Sequence, residues 1–409
     1  MGGTRHPNDA MCVCAARQFG ESGGGSQSKD APAGARLDYS RPGPPDKRVR
    51  FRTPTPMSQT PAAPRHRKAK PGEFVFAAAF LEHDHILGMS GGLCDAGAQL
   101  KWVFDPDAAK VKAFRRRFPR AKAARSLDEI LGDPAVRLVA SAGIPCERGP
   151  TGCRVMAAGK DYFCDKTPFT AAAQLRAARA AARRTGRKFA VYFSERLHVE
   201  CAVRAGDLVR AGAIGRVVQV LGLGPHRLRK ASRPGWFFER AKYGGILCDI
   251  GSHQFEQFLF YSGATDASVA HAAVGNFANP DKPEFEDFGE ASLVGNNGVS
   301  CYVRVDWLTP DGLSTWGDGR TVILGTDGYI ELRKYVDVAG GGRGDQLILV
   351  DARSERRFDL GGKVGFPFFG QLIHDCLHRT EHAMTQEHVF KAAELCLKAQ
   401  AAAQSLTHP

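Results

Sequence analysis

The stretch YGGILCDIGSHQFEQ (243–257) contains two residues that could hold and move a proton. Asp249 and His253 are four residues apart, so on a helix they share one face. A carboxylate can orient an imidazole, and an imidazole has a pKa suited to proton transfer near neutral pH. The same spacing suits a pair of metal ligands, but the sequence identifies no third ligand. We therefore favour acid–base chemistry over a metal site.

A lysine follows the strand-like stretch at 160–165 and comes two residues before Pro168. If that stretch is a strand, Lys166 lies at its carboxyl end. A lysine there can donate a hydrogen bond to a substrate oxygen, or its pKa can fall by desolvation. An ordinary exposed lysine is the alternative, and strand position alone does not choose between the two.

Strand-like and helix-like patterns alternate along the first part of the chain, and this alternation decides where such residues meet. Strand-like stretches separated by helical patterns occur at 73–80, 99–107, 136–143, 160–166 and 188–195. The alternation predicts a doubly wound parallel α/β domain over 73–194, in which ligands bind at the carboxyl ends of the strands. A long helix is expected at 170–186, with Thr170 as its N-cap and Gly186 as its terminator.

The pattern changes after residue 194. A helix is expected at about 198–212, and strand-like stretches then occur at 217–224, 267–277, 287–296, 298–308, 320–334 and 344–352. Neighbouring strands with glycine-rich turns predict an α+β domain over 195–409 with a large, mostly antiparallel open sheet. A helical segment at 369–406 closes the chain, and its final helix is placed to pack back on the first domain.

The turn after the first predicted strand lacks the glycines of a dinucleotide-binding turn. In a G-x-G-x-x-G turn, glycines let a pyrophosphate approach the helix N-terminus. Phe80, Glu82 and His85 stand at the corresponding positions here, and an inward carboxylate at Glu82 would repel a pyrophosphate. The HDH triplet at 83–85 also invites a metal interpretation, but adjacent residues on a helix diverge, so we predict no metal site.

Asp105 ends the second predicted strand, about 20 residues after this turn. An acidic residue at that place can accept hydrogen bonds from the hydroxyl groups of an adenosine ribose. The alternative is a surface aspartate that precedes Pro106 and caps the next helix. We favour the ribose role.

The first 72 residues differ in composition from the rest. They are rich in Gly, Ser, Pro and Arg and hold 13 Lys/Arg against 5 Asp/Glu. Such a segment cannot bury enough apolar surface to fold, so we predict a disordered basic leader over 1–72. The remainder holds 43 Lys/Arg against 38 Asp/Glu, which is only mildly basic. Nucleic-acid binding is therefore not expected.

Cysteine usage and hydropathy indicate the compartment. No apolar run approaches the ~20 residues of a membrane helix, and the chain start has no signal-peptide core. The 11 cysteines include no C-x-x-C pair and no zinc-like cluster. We therefore expect a cytoplasmic protein with reduced thiols and no membrane association.

Residues 74–405 resemble the glucose–fructose oxidoreductase / inositol dehydrogenase / rhizopine-catabolism (Gfo/Idh/MocA) family. The family's G-G-x-x-x-D-x-G-x-H motif is intact from Gly244 to His253. Its Glu-Lys-Pro motif appears as DKTP (165–168), with Asp for Glu and one residue inserted before the proline. The stretch AGAIGRVVQV (211–220) is also typical. The turn without glycines is the main departure.

The resemblance implies an NAD(P)-dependent oxidoreductase that moves a hydride between nicotinamide and a hydroxyl or keto carbon of a sugar, polyol or related small molecule. Lys166 would hydrogen-bond the reacting oxygen, His253 would exchange its proton, and Asp249 would orient the substrate or the histidine. NAD is expected rather than NADP, because no Arg or Lys follows Asp105 until Lys110. A homo-oligomer, dimer or tetramer, is also implied, with the open face of the second sheet as its interface.

The implied contacts fall into two groups. Cofactor contacts are expected at Phe80, Leu81, Glu82, His83, His85, Asp105, Ser141, Ala142, Ile144, Pro145 and Lys166. Substrate contacts are expected at Lys166, Tyr192, Arg227, Trp236, Asp249 and His253. Further candidates for the pocket are Glu195, Arg196, His226, Arg240, Trp307 and Trp316.

Two other functions stay open. A ligand-binding or regulatory relative would account for the lost glycines, whereas the retained Lys166, Asp249 and His253 favour an enzyme. A lyase or hydrolase that uses bound NAD as a redox catalyst is the other alternative, and such a protein would keep its cofactor through purification.

Overall fold

The structure, a computed structural model, describes residues 69–406. The predicted leader therefore lies outside the described residues, except for 69–72. These four residues enter the fold through a turn, in which the Ala69 amide donates to the carbonyl of Ala96 (3.0 Å).

The first sheet contains six parallel strands. They are β1 (Val75–Ala79), β2 (Gln99–Phe104), β3 (Lys122–Ala123), β4 (Val136–Ser141), β5 (Asp161–Asp165) and β6 (Phe189–Tyr192). Their order, β3-β2-β1-β4-β5-β6, places β1 and β4 at the centre, where the strand order reverses. Every residue of β1 and β5 is buried, because helices cover both faces of a doubly wound sheet. The predicted doubly wound parallel sheet is confirmed.

Helices connect these strands and lead into the second domain. They are α1 (His85–Asp95), α2 (Ala108–Arg117), α3 (Leu127–Gly132), α4 (Pro145–Ala157), α5 (Ala172–Thr185), α6 (Ser194–Leu197) and α7 (Glu200–Arg210). One predicted cap is wrong. Ala171 is the N-cap of α5, and the Thr170 amide instead donates to the Gln174 side chain (2.8 Å). Gly186 ends α5 in the left-handed conformation, as expected.

The second sheet contains nine strands. They are β7 (Val217–Pro225), β8 (Ala267–Gly275), β9 (Phe288–Gly295), β10 (Ser300–Asp306), β11 (Arg320–Gly325), β12 (Gly328–Arg333), β13 (Gln346–Asp351), β14 (Glu355–Asp359) and β15 (Gln404–Ser405). The order is β14-β13-β12-β11-β7-β10-β9-β8-β15. All neighbours are antiparallel except β10 with β7 and β15 with β8. The predicted mostly antiparallel sheet is confirmed, although β14 was not predicted and β15 lies in the segment 369–406 that was predicted to be helical.

Five more α-helices follow in the described chain, besides two short 3-10 helices at Lys230–Ser232 and Gly235–Phe238. They are α8 (Arg240–Tyr243), α9 (Ile246–Asp249), α10 (Gly251–Ser262), α11 (Pro367–His378) and α12 (Gln386–Ala402). Helix α10 is buried along most of its length against the second sheet. Helix α12 reaches the first domain, because the Gln386 side chain exchanges two 2.8 Å hydrogen bonds with the backbone of Phe189 in β6.

The helices of the described chain do not include a membrane span. Within 69–406, no helix is both long enough and apolar enough to cross a bilayer.

Two adjacent glycines in α1 offer a matched test of this packing. A Cβ at Gly92 would lie 2.3 Å from the Phe369 ring of α11, whereas a Cβ at Gly91 meets nothing within 4 Å. We expect Gly92→Ala to lower the free energy of unfolding by ~1–3 kcal/mol through overpacking. We expect Gly91→Ala to raise it by ~0.5–1 kcal/mol, since alanine favours the helix. Urea unfolding of both variants measures the difference, and equal effects would contradict the packing of α1 on α11.

Candidate active site

A buried ion pair joins the two domains at the carboxyl end of the first sheet. Lys166 follows β5, and its Nζ donates to Oδ1 of Asp249 at the end of α9 (2.6 Å). Burial alone would raise the pKa of Asp249, but the Lys166 ammonium outweighs it and holds that pKa below its usual value. Asp249 is therefore an anion, and its other oxygen, Oδ2, is buried with no partner in 69–406.

Two glycines bring Asp249 to this place. Gly244 (φ 90°) and Gly245 (φ 94°) both have the left-handed backbone that glycine allows. A Cβ on Gly245 would lie 2.3 Å from Oε1 of Gln400, the atom that also accepts from the Leu247 amide (2.9 Å). The double glycine is therefore needed for α9 to start where it does.

His253 lies in the first turn of α10 and makes no hydrogen bond to Asp249. Helix α9 ends at Asp249 and α10 starts at Gly251, and Ile250 between them keeps helical dihedrals (φ −74°, ψ −41°). Burial, reinforced by the charge of Lys166, lowers the pKa of His253 to about 3. The imidazole is thus neutral at pH 7 and a weaker base than expected. Its Nδ1 is buried without a partner among the described residues.

A second carboxylate, that of Glu195, acts electrostatically on His253. Glu195, in α6, is among the charges that act on the pKa of His253, and it opposes the effect of burial. Its Oε2 accepts from Nζ of Lys334 (2.9 Å) and from Nε2 of Gln254 (2.9 Å). The Lys334 ammonium holds the pKa of Glu195 well below its usual value, although burial alone would raise it.

The turn after β1 keeps a glycine-like backbone without glycine. Phe80 has φ 59°, a conformation that non-glycine residues adopt rarely. The next amide, of Leu81, donates to Oδ2 of Asp105 (2.7 Å), and the Asp107 amide donates to Oδ1 (2.8 Å). Asp105 therefore holds the turn in place, in addition to any ribose contact.

Glu82 does not leave an unpaired charge in this turn. Its Oε1 forms an ion pair with Lys110 of α2, and its Oε2 accepts from the indole of Trp236 (3.4 Å). The expected repulsion of a pyrophosphate is thereby reduced, and Trp236 is placed at the turn of the first domain.

His83 and His85 converge, which corrects the geometric reason for rejecting a metal there. They precede or begin α1 rather than lie within it, and their ring centroids are 4.2 Å apart. With Asp165, they offer three ligand atoms within 4.8 Å of one another, so this cluster could hold a metal ion. Without one, Nδ1 of His85 already bonds Oδ1 of Asp165 (2.7 Å).

Arg148 connects the carboxyl ends of β4 and β5, and the sequence interpretation missed it. Its guanidinium donates to the carbonyls of Gly143 (2.7 Å), Lys166 and Thr167, and it contacts Oδ2 of Asp165 (3.3 Å). It therefore fixes the backbone that carries Lys166. An arginine on the buried face of a helix was the available signal, because such a charge needs several partners.

The other cofactor candidates line the end of β4. Ser141 ends the strand, the Ala142 amide donates to the carbonyl of Phe80 (3.0 Å), and Ile144 and Pro145 start α4. These residues thus lie beside the turn after β1.

Two substrate candidates have other partners. The Tyr192 hydroxyl forms a hydrogen bond with Nδ1 of His198. Nη2 of Arg227 donates to three carbonyls, of Pro310, Asp311 and Leu313, and so fastens a loop of the second domain.

The remaining pocket candidates contact other side chains of the protein. Arg196 is buried against Glu256, and Arg240 pairs with Glu286. Trp307 and Trp316 pack on the ring of His226.

The sequence also did not indicate a role for Lys334. It is completely buried beside Glu195, yet it ends a strand pattern as an ordinary charged residue would. Nothing local in the sequence distinguishes it, since its partner lies 139 residues away.

Comparison with known families decides the relationship. Residues 77–193 match the family described as oxidoreductase family, NAD-binding Rossmann fold, and residues 202–331 match the GFO/IDH/MocA C-terminal domain. The chain belongs to the Gfo/Idh/MocA family. The two matches meet at the boundary between the parallel sheet and the larger mixed sheet, and they cover more than half of the chain.

Individual relatives agree with this Gfo/Idh/MocA assignment. A candidate oxidoreductase from Erwinia carotovora atroseptica is 49% identical, covers 82% of this chain and all of its own, and has a TM-score of 0.79. An uncharacterised oxidoreductase of Synechocystis is 24% identical over 57% of this chain, and the chain spans 66% of that relative's length.

More distant structures share the fold. Levoglucosan dehydrogenase in complex with NADH is 16% identical and has a TM-score of 0.66. The match covers 80% of this chain and 97% of the dehydrogenase. A 3-ketoreductase from Actinomadura kijaniata in complex with NADP is 15% identical, with 83% and 100% covered and a TM-score of 0.66.

The turn of this Gfo/Idh/MocA member fits a nicotinamide nucleotide despite the missing glycines. Phe80 supplies the left-handed backbone, and the charge of Glu82 is neutralised by Lys110. The backbone after β1, Asp105 and the end of β4 would hold the nucleotide. A nicotinamide bound there would accept or deliver a hydride.

Buried neutral histidines predict acid sensitivity. Burial lowers the pKa of His253 to about 3 and that of His226 to about 4. Unfolded histidine takes up a proton below pH ~6.5, so stability is complete above that pH and falls as the pH falls toward these folded values. We expect a loss of roughly 1–2 kcal/mol per histidine by pH 5. Urea unfolding between pH 7.5 and 4.5 measures it.

The control for this prediction is an exposed histidine. His253→Gln combined with His226→Gln should flatten the pH dependence, whereas His271→Gln, on the surface of β8, should leave it unchanged. A flat profile for the unmodified protein would contradict the prediction.

Proposed function

We propose that this protein is an NAD(P)-dependent oxidoreductase that transfers a hydride between nicotinamide and a hydroxyl or keto carbon of a sugar, polyol or related small molecule. The observation that carries the proposal is the buried Lys166–Asp249 pair beside His253, where the two domains meet at the strand ends. The charge of Lys166 lowers the pKa of both Asp249 and His253, and such perturbed groups in a buried cluster are typical of a catalytic site.

Lys166 is the donor to the reacting oxygen. Its ammonium is fixed by one oxygen of Asp249 and retains hydrogens for a substrate oxygen. Oδ2 of Asp249 has no hydrogen-bond partner among the described residues and can accept from a neighbouring substrate hydroxyl. These contacts place the substrate carbon and polarise its oxygen.

His253 exchanges the proton. The neutral ring can accept a proton at Nδ1 when a substrate alcohol is oxidised, and it returns that proton in the reverse direction. Its low pKa favours rapid release of the proton, and the carboxylate of Glu195 offsets part of the cost of forming the imidazolium in a buried site.

A sugar-like substrate class is supported by a relative. Levoglucosan dehydrogenase, which shares the fold, is named for an anhydro-sugar. In this chain, the aromatic rings of Trp307 and Trp316 beside polar groups suit a polyhydroxylated ligand.

NAD is our proposed cofactor rather than NADP. Asp105 carries a negative charge at the ribose position, and the Lys110 that could attract a 2′-phosphate is engaged by Glu82. The fold itself accepts either, since one similar structure contains NADH and another NADP.

The test is calorimetric binding of NADH and NADPH to the full chain, followed by a screen of sugars, polyols and sugar acids. We expect micromolar binding, tighter for NADH, and reduction of NAD by at least one polyhydroxylated compound. Absence of binding of both nucleotides would overturn the proposal and favour a ligand-binding relative without catalysis.

We further propose a cytoplasmic homo-oligomer. Leu324, Tyr329 and Val294 are exposed on the outer face of the second sheet, and such apolar surface suits a contact between copies. Light scattering would give a dimer or tetramer mass, whereas a monomer at micromolar concentration would contradict the proposal.

A further inference from the structure

A buried carboxylate oxygen and a nitrogen of a half-buried imidazole lie close together beside the candidate active site. Oε1 of Glu195 lies 3.9 Å from Nε2 of His226, which follows β7. The charges of Lys166 and Asp249 both act on the pKa of His226, so this pair belongs to the same cluster of groups. The mechanism above assigns no ligand contact to either acceptor.

Only one of the two carboxylate oxygens of Glu195 accepts hydrogen bonds from the described residues. Oε2 accepts from Lys334 and Gln254, both at 2.9 Å. Oε1 is buried and accepts no hydrogen bond within 69–406. An ionised, buried oxygen without a hydrogen bond is costly, so the arrangement calls for a donor from outside the chain.

The imidazole of His226 cannot be that donor. Its Nδ1 lies 3.1 Å from the carbonyl oxygen of Gly224, which only accepts, so Nδ1 carries the hydrogen. Burial lowers the pKa of the ring to about 4, so the ring is neutral near pH 7. Nε2 therefore has a lone pair and faces the carboxylate as a second acceptor. A ligand that satisfies both must bring two hydrogens.

Aromatic rings flank this pair on the side of the second domain. The ring of His226 packs against Trp316 (4.5 Å) and Trp307 (5.3 Å). Trp316 is 38% exposed, whereas Nε1 of Trp307 is buried without a partner among the described residues. Apolar rings around a few fixed polar atoms are typical of a small-molecule site.

We propose that Oε1 of Glu195 and Nε2 of His226 form a subsite for a vicinal diol, in which each acceptor takes one hydroxyl hydrogen. The neighbouring oxygens of a gauche diol are close enough to reach two acceptors 3.9 Å apart. A ligand with a single hydroxyl satisfies only one of them. The subsite therefore selects polyhydroxylated ligands, and it rests on the proposed function only for the identity of the reacting carbon at Lys166.

Minimal probes test the subsite without turnover. Saturation-transfer NMR on the full chain at pH 7.5 would compare cis-1,2-cyclohexanediol with cyclohexanol, which presents the same ring with one hydroxyl. We expect the diol to bind at least about tenfold more tightly, as one charge-assisted hydrogen bond can provide. Equal affinities would overturn the proposal.

Two variants and two controls localise the effect. In Glu195→Gln, Lys334 and Gln254 hold the amide oxygen at the Oε2 position, so a donor faces His226. This variant and His226→Phe should bring the two affinities within about twofold of each other. His271→Phe and Glu290→Gln alter a similar pair on the surface of the second sheet (3.4 Å) and should change nothing.

The outcomes separate this proposal from the proposed function. A diol preference that both variants retain would place the diol elsewhere and overturn the subsite. His226→Phe keeps the test valid if Glu195→Gln fails to fold, and thermal unfolding identifies that case. Turnover with NAD but no diol preference overturns only the subsite, whereas a diol preference without nucleotide binding overturns only the dehydrogenase.

Discussion

Lys166→Met is expected to lower kcat/KM about a thousandfold for the best substrate of the sugar and polyol screen. Methionine keeps most of the side-chain volume but removes the donor that contacts the reacting oxygen. A single preorganised donor at a developing charge contributes roughly a hundredfold to a thousandfold. The change also leaves Asp249 buried without its 2.6 Å partner, which adds misplacement of the substrate to the loss. Steady-state kinetics with NAD measures the effect.

Lys160→Met is the matched control. Lys160 precedes β5 just as Lys166 follows it, and it is also buried. Its Nζ donates to the carbonyls of Asp133 (2.7 Å) and Val136 (2.9 Å), at the opposite end of the sheet. This variant should lose ~1–3 kcal/mol of stability and keep kcat/KM within about threefold. Similar kinetic losses in both variants would show that Lys166 acts only through folding.

His253→Ala is expected to lower kcat/KM about 10²- to 10⁴-fold, the usual contribution of a positioned proton acceptor. Because the missing group is a base, added imidazole should restore part of the activity, which a merely structural residue would not show. The rate measured at increasing imidazole concentration provides the test, and absence of rescue together with unchanged kcat/KM would remove His253 from the mechanism.

The pH profile adds a second readout for His253. Burial lowers its pKa to about 3, so the neutral, proton-accepting form is present throughout pH 5–8. The unmodified protein should therefore show no loss of kcat/KM near pH 6.5 from protonation of this residue. His388→Gln is the control. His388 lies on α12 and pairs with Glu256 (3.0 Å), so this variant should leave both the rate and the pH profile unchanged.

The order of elements was predictable because its causes are local. Fully apolar strands such as β1 and β5 alternate with helices, and that alternation leads to a parallel sheet covered on both faces. The N-cap of α5 was predicted wrongly, since Ala171 occupies that position and the Thr170 amide donates to the Gln174 side chain. The strand β14 has an exposed, charged sequence, so periodicity alone did not reveal it.

The candidate site was predictable in its residues more than in its contacts. Lys166, Asp249 and His253 were identified from motif and strand position, and the structure brings Lys166 and Asp249 together. The expected Asp249–His253 hydrogen bond is not formed: Oδ1 of Asp249 accepts from Lys166, and Oδ2 has no partner among the described residues. The spacing of residues along the sequence could not predict that Tyr192 bonds the His198 side chain or that Arg227 donates to three carbonyls.

By itself, the sequence determined the two-domain architecture, the family and the identities of the central lysine, aspartate and histidine, because periodicity and short motifs are properties of neighbouring residues. The tertiary structure alone decided which groups pair. Lys166 reaches across 83 residues to Asp249, and Glu195 reaches across 139 residues to Lys334. Such pairs, and the pKa values and open acceptors that follow from them, depend on burial and distance, which arise only when the two domains pack together.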